Sequence, residues 1–195
     1  MSTFTVLHET CNTLLDQTKS ATVLDLCCGN GQLSKLLTFE SITGVDAYQP
    51  YLDAFMDAMP EHAEGLLMDL TEDPLDSIED NTYDAVLCID GVEHLEHEKA
   101  VRLMDNMERV AKKLVVIFTP INLHNPEVPV LNTPHSSWGI EGGAEWQTHK
   151  SAHLPNYFLN NGYVINMDSI GKNQYDGTSY REMLYSKILE NNNES

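Results

Sequence analysis

The stretch VLDLCCGNGQLSKLL, residues 23–37, opens as a buried strand, passes through a turn holding two glycines, and resumes with apolar residues at helical spacing. Val23, Leu24 and Leu26 form a short apolar run of the kind that lies in a sheet covered on both faces. Leu36 and Leu37 follow Leu33 by three and four residues, with Gln32, Ser34 and Lys35 on the other side, which predicts a helix directly after Gly31. Between strand and helix, Cys27, Cys28, Gly29, Asn30 and Gly31 carry little side-chain bulk. A ligand can approach the backbone of such a turn and meet the N–H groups left free at a helix start. A merely tight strand-to-helix connection would read the same way.

The next segment favours the ligand. SITGVDAY, residues 41–48, reads as a second short strand that ends in Asp46, 21 residues beyond Asp25. An acidic residue at that distance past a glycine turn, on the tip of the second strand, is placed to accept hydrogen bonds from ribose hydroxyls. The competing reading of Asp46 is a turn aspartate or the cap of the following helix.

On these residues the sequence resembles the class I S-adenosylmethionine-dependent methyltransferases, whose first motif reads D-x-G-x-G-x-G. The matching residues are Asp25 to Gly31, with Cys27 where the family has its first glycine. GLLMDLTEDPLD (65–76), YDAVLCIDGVEHLEH (83–97) and KKLVVIFTP (112–120) fit the third, fourth and fifth strands of the same template. The resemblance covers roughly residues 20–187. It implies an α/β, Rossmann-like methyltransferase fold: a doubly wound, mostly parallel seven-stranded sheet with helices on both faces and a C-terminal antiparallel hairpin. It also implies S-adenosyl-L-methionine as cofactor, bound by Asp25, Cys27, Gly29, Gly31, Asp46, Asp69, Leu70 and Asp90. Asp69 would then meet the adenine amino group, with Leu70 beside the ring.

The 195 residues, 42% hydrophobic, suit one domain with a sizeable core. No run of about 18 apolar residues and no secretion signal stand out, which predicts a cytoplasmic protein without a membrane span. Cys11, Cys27, Cys28 and Cys88 lack paired C-x-x-C spacing and read as small buried thiols, and no metal-binding cluster is evident, so no metal is expected. The formal net charge is −19, and residues 36–98 contain 17 carboxylates but no Lys or Arg. Such a surface repels phosphate, which makes a nucleic-acid partner unlikely unless Lys99, Arg102, Arg109, Lys112 and Lys113 converge in space. Solubility or a salty environment accounts for the acidity more simply than steering of a cationic substrate.

Residues 1–19 carry the stripe Phe4, Leu7, Cys11, Leu14 and Leu15 of a leading helix. From Thr119 to His153 periodicity disappears, and this connector holds Pro120, Pro134, His135, Trp138, Trp146 and His149 among others. Loops that long are uncommon unless functional, so residues 119–153 are read as a lid or wall over an acceptor pocket. A short helix around Tyr157, Phe158 and Leu159 follows, then a sixth strand, the loop KNQYDGTS (172–179), a last strand, and a polar tail at 190–195 read as disordered.

His94 falls just past the fourth strand, where related enzymes line the pocket near the reacting methyl. Histidine titrates near neutrality and could take a proton from a hydroxyl or amine, which makes His94 the candidate base; an adenosine-facing histidine without catalytic work is the other reading. Trp146, His149 and Lys150 are the acceptor-side candidates. The expected reaction is methyl transfer to a small or medium-sized acceptor. Degradation of the cofactor by a lyase or hydrolase, and a non-catalytic acidic interaction module on the same fold, are the alternatives. Oligomeric state is not legible.

Overall fold

The computed structural model describes residues 2–131, 143–173 and 177–189. Helix α1 (Thr3–Thr18) starts at Ser2, whose hydroxyl accepts from the Thr5 N–H, and stops at Lys19 in the left-handed region. Then come β1 (Thr22–Leu26), β2 (Ser41–Asp46), α2 (Gln49–Ala58), β3 (Ala63–Leu67), β4 (Tyr83–Ile89), α3 (His97–Val110), β5 (Ala111–Asn122), α4 (Pro155–Asn160), β6 (Val164–Lys172) and β7 (Ser179–Ile188). The seven strands form one sheet in the order β3-β2-β1-β4-β5-β7-β6. The first five run parallel, and β7 lies antiparallel to both β5 and β6. The doubly wound sheet and its closing hairpin are as expected.

The period-two alternation of the strands divides the core. Val23, Ile42, Leu87, Val116 and Leu184 face α1 and α2, where Cys11, Leu15 and Phe55 are buried. Leu24, Val45, Val86, Val115 and Tyr185 face α3 and α4, where Leu103, Met107 and Phe158 are buried. At roughly 1.5–3 kcal/mol for each fully buried large apolar side chain, these two layers fix which strand ends meet at the top of the sheet.

Two readings of the sequence are corrected. No α-helix follows Gly31; the chain makes only a 3₁₀ turn, Ser34–Leu36. Leu33 and Leu37 are buried against α1 and α2, while Asn12 of α1 bonds the Leu36 carbonyl and the Thr38 N–H and ends the segment there. The few residues left are too short a run to sustain a helix. The connector does not begin at Thr119, because Thr119–Asn122 pair with β7 as the end of β5. Pro120 is tolerated there since it lies beyond Phe118, the last residue paired with β4, so its missing N–H leaves no ladder bond unmade. Of the basic residues whose convergence would have favoured a phosphate-bearing partner, Lys99, Arg102, Arg109 and Lys113 are paired with Glu72, Asp76, Asp80 and Asp84. His135, Trp138 and residues 190–195 lie outside the described residues.

Candidate functional site

The carboxyl ends of β1, β2 and β4 border a crevice with two lobes that share Cys27, Asp90 and Gln147 as lining residues. The turn after β1 is built from left-handed backbone: φ is 54° at Cys27, 53° at Gly29 and 71° at Gly31. Cys27 therefore stands where a glycine is conformationally natural, at a cost of about 1–2 kcal/mol. At Gly31, already left-handed, a Cβ would also press on the end of Met59 and the Phe55 ring at 2.9 and 3.2 Å, so a side chain is disfavoured. At Gly29 a Cβ would meet nothing within 4 Å. The space over Gly29 is open, and a ligand can lie directly against the backbone.

Two buried aspartates stand beneath this cradle. Asp46, 8% exposed, accepts the Gly29 N–H at 3.0 Å and the Tyr48 N–H at 2.9 Å, one on each oxygen. It thus braces the turn and keeps further lone pairs free. Burial raises its pKa despite those bonds. Asp25, 4% exposed, accepts from the Ser34 hydroxyl. Burial pushes it up to about 7, with the Ser34 bond opposing and the charge of Asp46 adding to the rise.

Asp69 and Leu70 reach the same crevice from the segment after β3, where Asp69 accepts the Thr71 N–H at 2.8 Å and Leu70 is buried. The segment between β3 and β4 forms no helix of its own. It is held instead by α3: Arg109 donates to the Leu75 and Ile78 carbonyls at 2.7 and 2.8 Å and pairs with Asp80, and Asn106 donates to the Pro74 carbonyl. The basic residues of α3 are thus struts for a site loop.

The turn after β4 supplies the remaining wall. Asp90 adopts φ 51° and opens onto both lobes. Its side chain is open to the crevice, and partial enclosure, then the Glu182 carboxylate, raises its pKa. His94 lines the first lobe with Trp146, Gln147 and Lys150, in a cleft that also contains Asp69 and Leu70. Its Nδ1 lies 3.4 Å from the Thr148 carbonyl and its ring centroid 5.1 Å from that of His149. Burial, then the neighbouring His149, lowers His94 to about 4, so its imidazole is neutral at pH 7. His149 is lowered by burial too, and its Nδ1 is 2.8 Å from the Val130 carbonyl.

All the cofactor-side residues read from the sequence border this crevice or shape its turn, and Trp146 and Lys150 share a lobe with Asp69. His149 stands behind His94 instead of lining the lobe. Segment 143–151 is fastened by the Lys150 and Ser151 N–H groups, which donate to the Glu93 carbonyl at 2.7 and 3.1 Å. The sequence reading missed Gln147 and Glu93. Glu93 is 1% exposed; its Oε2 accepts from Thr119, and Oε1 has no partner among the described residues. Burial, then Asp90, holds it well above the usual carboxylate range. Its only sequence signal was a charged residue beside an apolar valine and a candidate histidine.

Residues 23–113 match the family model described as "Methyltransferase domain". The ubiquinone biosynthesis O-methyltransferase of Rickettsia bellii is 26% identical over 103 residues, 51% of this chain and 42% of the relative. The chain thus matches less than half the length of the curated relatives it resembles. Among solved structures, the 1,6-didemethyltoxoflavin-N1-methyltransferase of Burkholderia thailandensis superposes with a TM-score of 0.62 at 14% identity, covering 96% of this chain and 80% of that one. The magnesium protoporphyrin IX methyltransferase of Synechocystis gives 0.56 at 14% identity, covering 95% and 81%. No helix among the described residues is long and apolar enough to cross a membrane.

Proposed function

Because residues 23–113 belong to the methyltransferase-domain family and the chain has the class I methyltransferase fold, we propose that this protein transfers a methyl group from S-adenosylmethionine to a small-molecule acceptor. The observation that carries the reading is the open backbone over Gly29, braced by a buried Asp46 whose carboxylate keeps unused lone pairs beside the crevice. A scaffold has no need of either.

The residues fit the cofactor. Asp46 would take the ribose hydroxyls, Asp69 and Leu70 the adenine, and the turn from Asp25 to Gly31 the methionine end. When bound, the sulfonium supplies an activated methyl group, so the protein's part is to align the nucleophile and exclude water. Trp146, Gln147 and Lys150 line the first lobe on the side where an acceptor would enter. Asp90 and His94 border the space left for an acceptor. His94, neutral at pH 7, can accept a proton from a hydroxyl or amine, and its low proton affinity makes it a weak base that helps mainly by orientation. Segment 143–153 acts as the acceptor-side wall, and the protein works in the cytoplasm.

Calorimetric titration with S-adenosylhomocysteine tests the pocket. Labelled-methyl transfer into a metabolite extract tests the reaction, because S-adenosylhomocysteine accumulates only if methyl is transferred. Cleavage of S-adenosylmethionine to other products would instead assign a degrading enzyme.

A further inference from the structure

Glu93, His94 and His149 bring one carboxylate oxygen and two ring nitrogens within 4.8 Å of one another. The two histidines come from segments 55 residues apart, and the backbone bonds of Lys150 and Ser151 to Glu93 hold those segments together. Each histidine is also oriented. A carbonyl can only accept, so Nδ1 of His149, 2.8 Å from the Val130 carbonyl, carries the hydrogen and leaves a lone pair on Nε2. Nδ1 of His94 faces the Thr148 carbonyl in the same sense, at 3.4 Å. A ring nitrogen bonded to a backbone carbonyl is the orientation that metal-ligating histidines adopt.

The independent observation is Glu93 itself. A carboxylate 1% exposed, with Oε1 unpartnered, is costly in a finished core, because a buried acceptor without a donor loses its hydration for nothing. Thr119 anchors only the other oxygen.

We propose that Glu93, His94 and His149 form a divalent-cation site in the wall of the acceptor lobe, with an open coordination position toward the cleft. Two imidazoles and one carboxylate suit a borderline cation such as Zn²⁺, Fe²⁺ or Mn²⁺ better than Mg²⁺. Bonds of about 2.1 Å hold ligand atoms about 3–3.5 Å apart, so the three donors need only a small inward movement. Bound there, the ion would hold an acceptor hydroxyl or carboxylate and lower the pKa of a hydroxyl, so that His94 serves as a ligand instead of a base. That role rests on the methyl-transfer reading; the binding site does not.

Chelator-stripped protein is titrated calorimetrically with ZnCl₂ and with MnCl₂, without methyl donor or acceptor, and the visible spectrum is recorded after adding CoCl₂. One equivalent of tight binding is expected, weakened at least about 10²-fold in His149→Ala and in Glu93→Gln, with the cobalt absorption lost. Circular dichroism and unchanged S-adenosylhomocysteine affinity verify that the variants are folded, and His149→Gln replaces any variant that is not. The exposed carboxylates give only weak, multiple binding that these variants leave untouched. Binding of that kind alone, or tight binding unaltered in both folded variants, overturns the proposal. Because metal and S-adenosylhomocysteine are titrated separately, failure of one reading leaves the other standing.

Discussion

Asp25→Asn isolates the electrostatic cost of keeping a carboxylate under the glycine turn. Asp25 is 4% exposed, and burial pushes it from an ordinary 3.8 up to about 7. At roughly 1.4 kcal/mol per pH unit, ionising it in the folded protein costs about 4 kcal/mol more than in the unfolded chain. The folded pKa is the higher one, so its contribution to stability is complete below about pH 4 and is lost as pH rises toward 7, levelling off above. Asparagine keeps the shape and an oxygen for the Ser34 hydroxyl but has no proton to lose. Urea unfolding of both proteins from pH 5 to 8 reads the difference. The wild type should lose about 2–3 kcal/mol relative to the variant across that interval. Repulsion among the acidic residues lowers both curves alike and drops out of the comparison. If binding brings a cationic ammonium group to Asp25, S-adenosylhomocysteine should also expel a proton near pH 7, visible as a buffer-dependent binding enthalpy that Asp25→Asn abolishes. A flat difference curve between pH 5 and 8 would mean that Asp25 ionises at its usual pKa, and the reasoning about a dry carboxylate would fail.

Asp46→Ala should weaken S-adenosylhomocysteine about 10- to 100-fold by calorimetry, since each charge-assisted bond contributes roughly 1.5–3 kcal/mol; equal affinity in a folded variant removes Asp46 from the site. Gly29→Val should cost about 1–2 kcal/mol of stability in thermal unfolding, because φ is 53° there, and should also block the cofactor, whereas unimpaired binding would show that no ligand touches that backbone. Arg109→Ala, which frees the loop carrying Asp69, should lower stability by about 1–3 kcal/mol and raise hydrogen exchange at residues 69–80; unchanged exchange would deny it the role of strut. His94→Ala should lower turnover about 10²-fold, the scale of lost positioning, with little change in S-adenosylhomocysteine affinity, and the wild-type rate should show no inflection from this imidazole between pH 5.5 and 8; one near 6.5 would mean that its surroundings are wetter than described.

The cofactor half of the crevice was legible because it is local. A strand, a glycine turn and an acid on the next strand tip constrain one another at fixed spacing, and Gly29 and Asp46 do meet, through a 3.0 Å bond. The helix after Gly31 was not, because the spacing of Leu33, Leu36 and Leu37 matches a helix while what buries Leu33 and Leu37 is contact with α1 and α2. Thr119–Asn122 were misread because proline usually breaks a strand, and only the strand order reveals an unpaired side there. Glu93 has only a faint local signature, a charge between Val92 and His94. Its meaning comes from His149 and Thr119, which sequence distance conceals.

The wedging of β7 between β5 and β6 has a consequence for the time course of folding. Along the chain β6 precedes β7, yet among the described residues β7 is its only ladder partner, so β6 has no place in the sheet until β7 joins it. The β6–β7 pair closes over a short loop, and hairpins form in about 1–10 μs, whereas β5 must find β7 across the span from Leu114 to Ile188. The pair should therefore reach the parallel sheet already zipped, with Tyr185 settling on Phe158 at a centroid distance of 3.9 Å. Glu182 travels on that hairpin, and its charge is one of those that set the proton affinity of Asp90. The parallel strands can thus assemble with an incomplete cleft floor, which gains its final electrostatic character only when the hairpin lands.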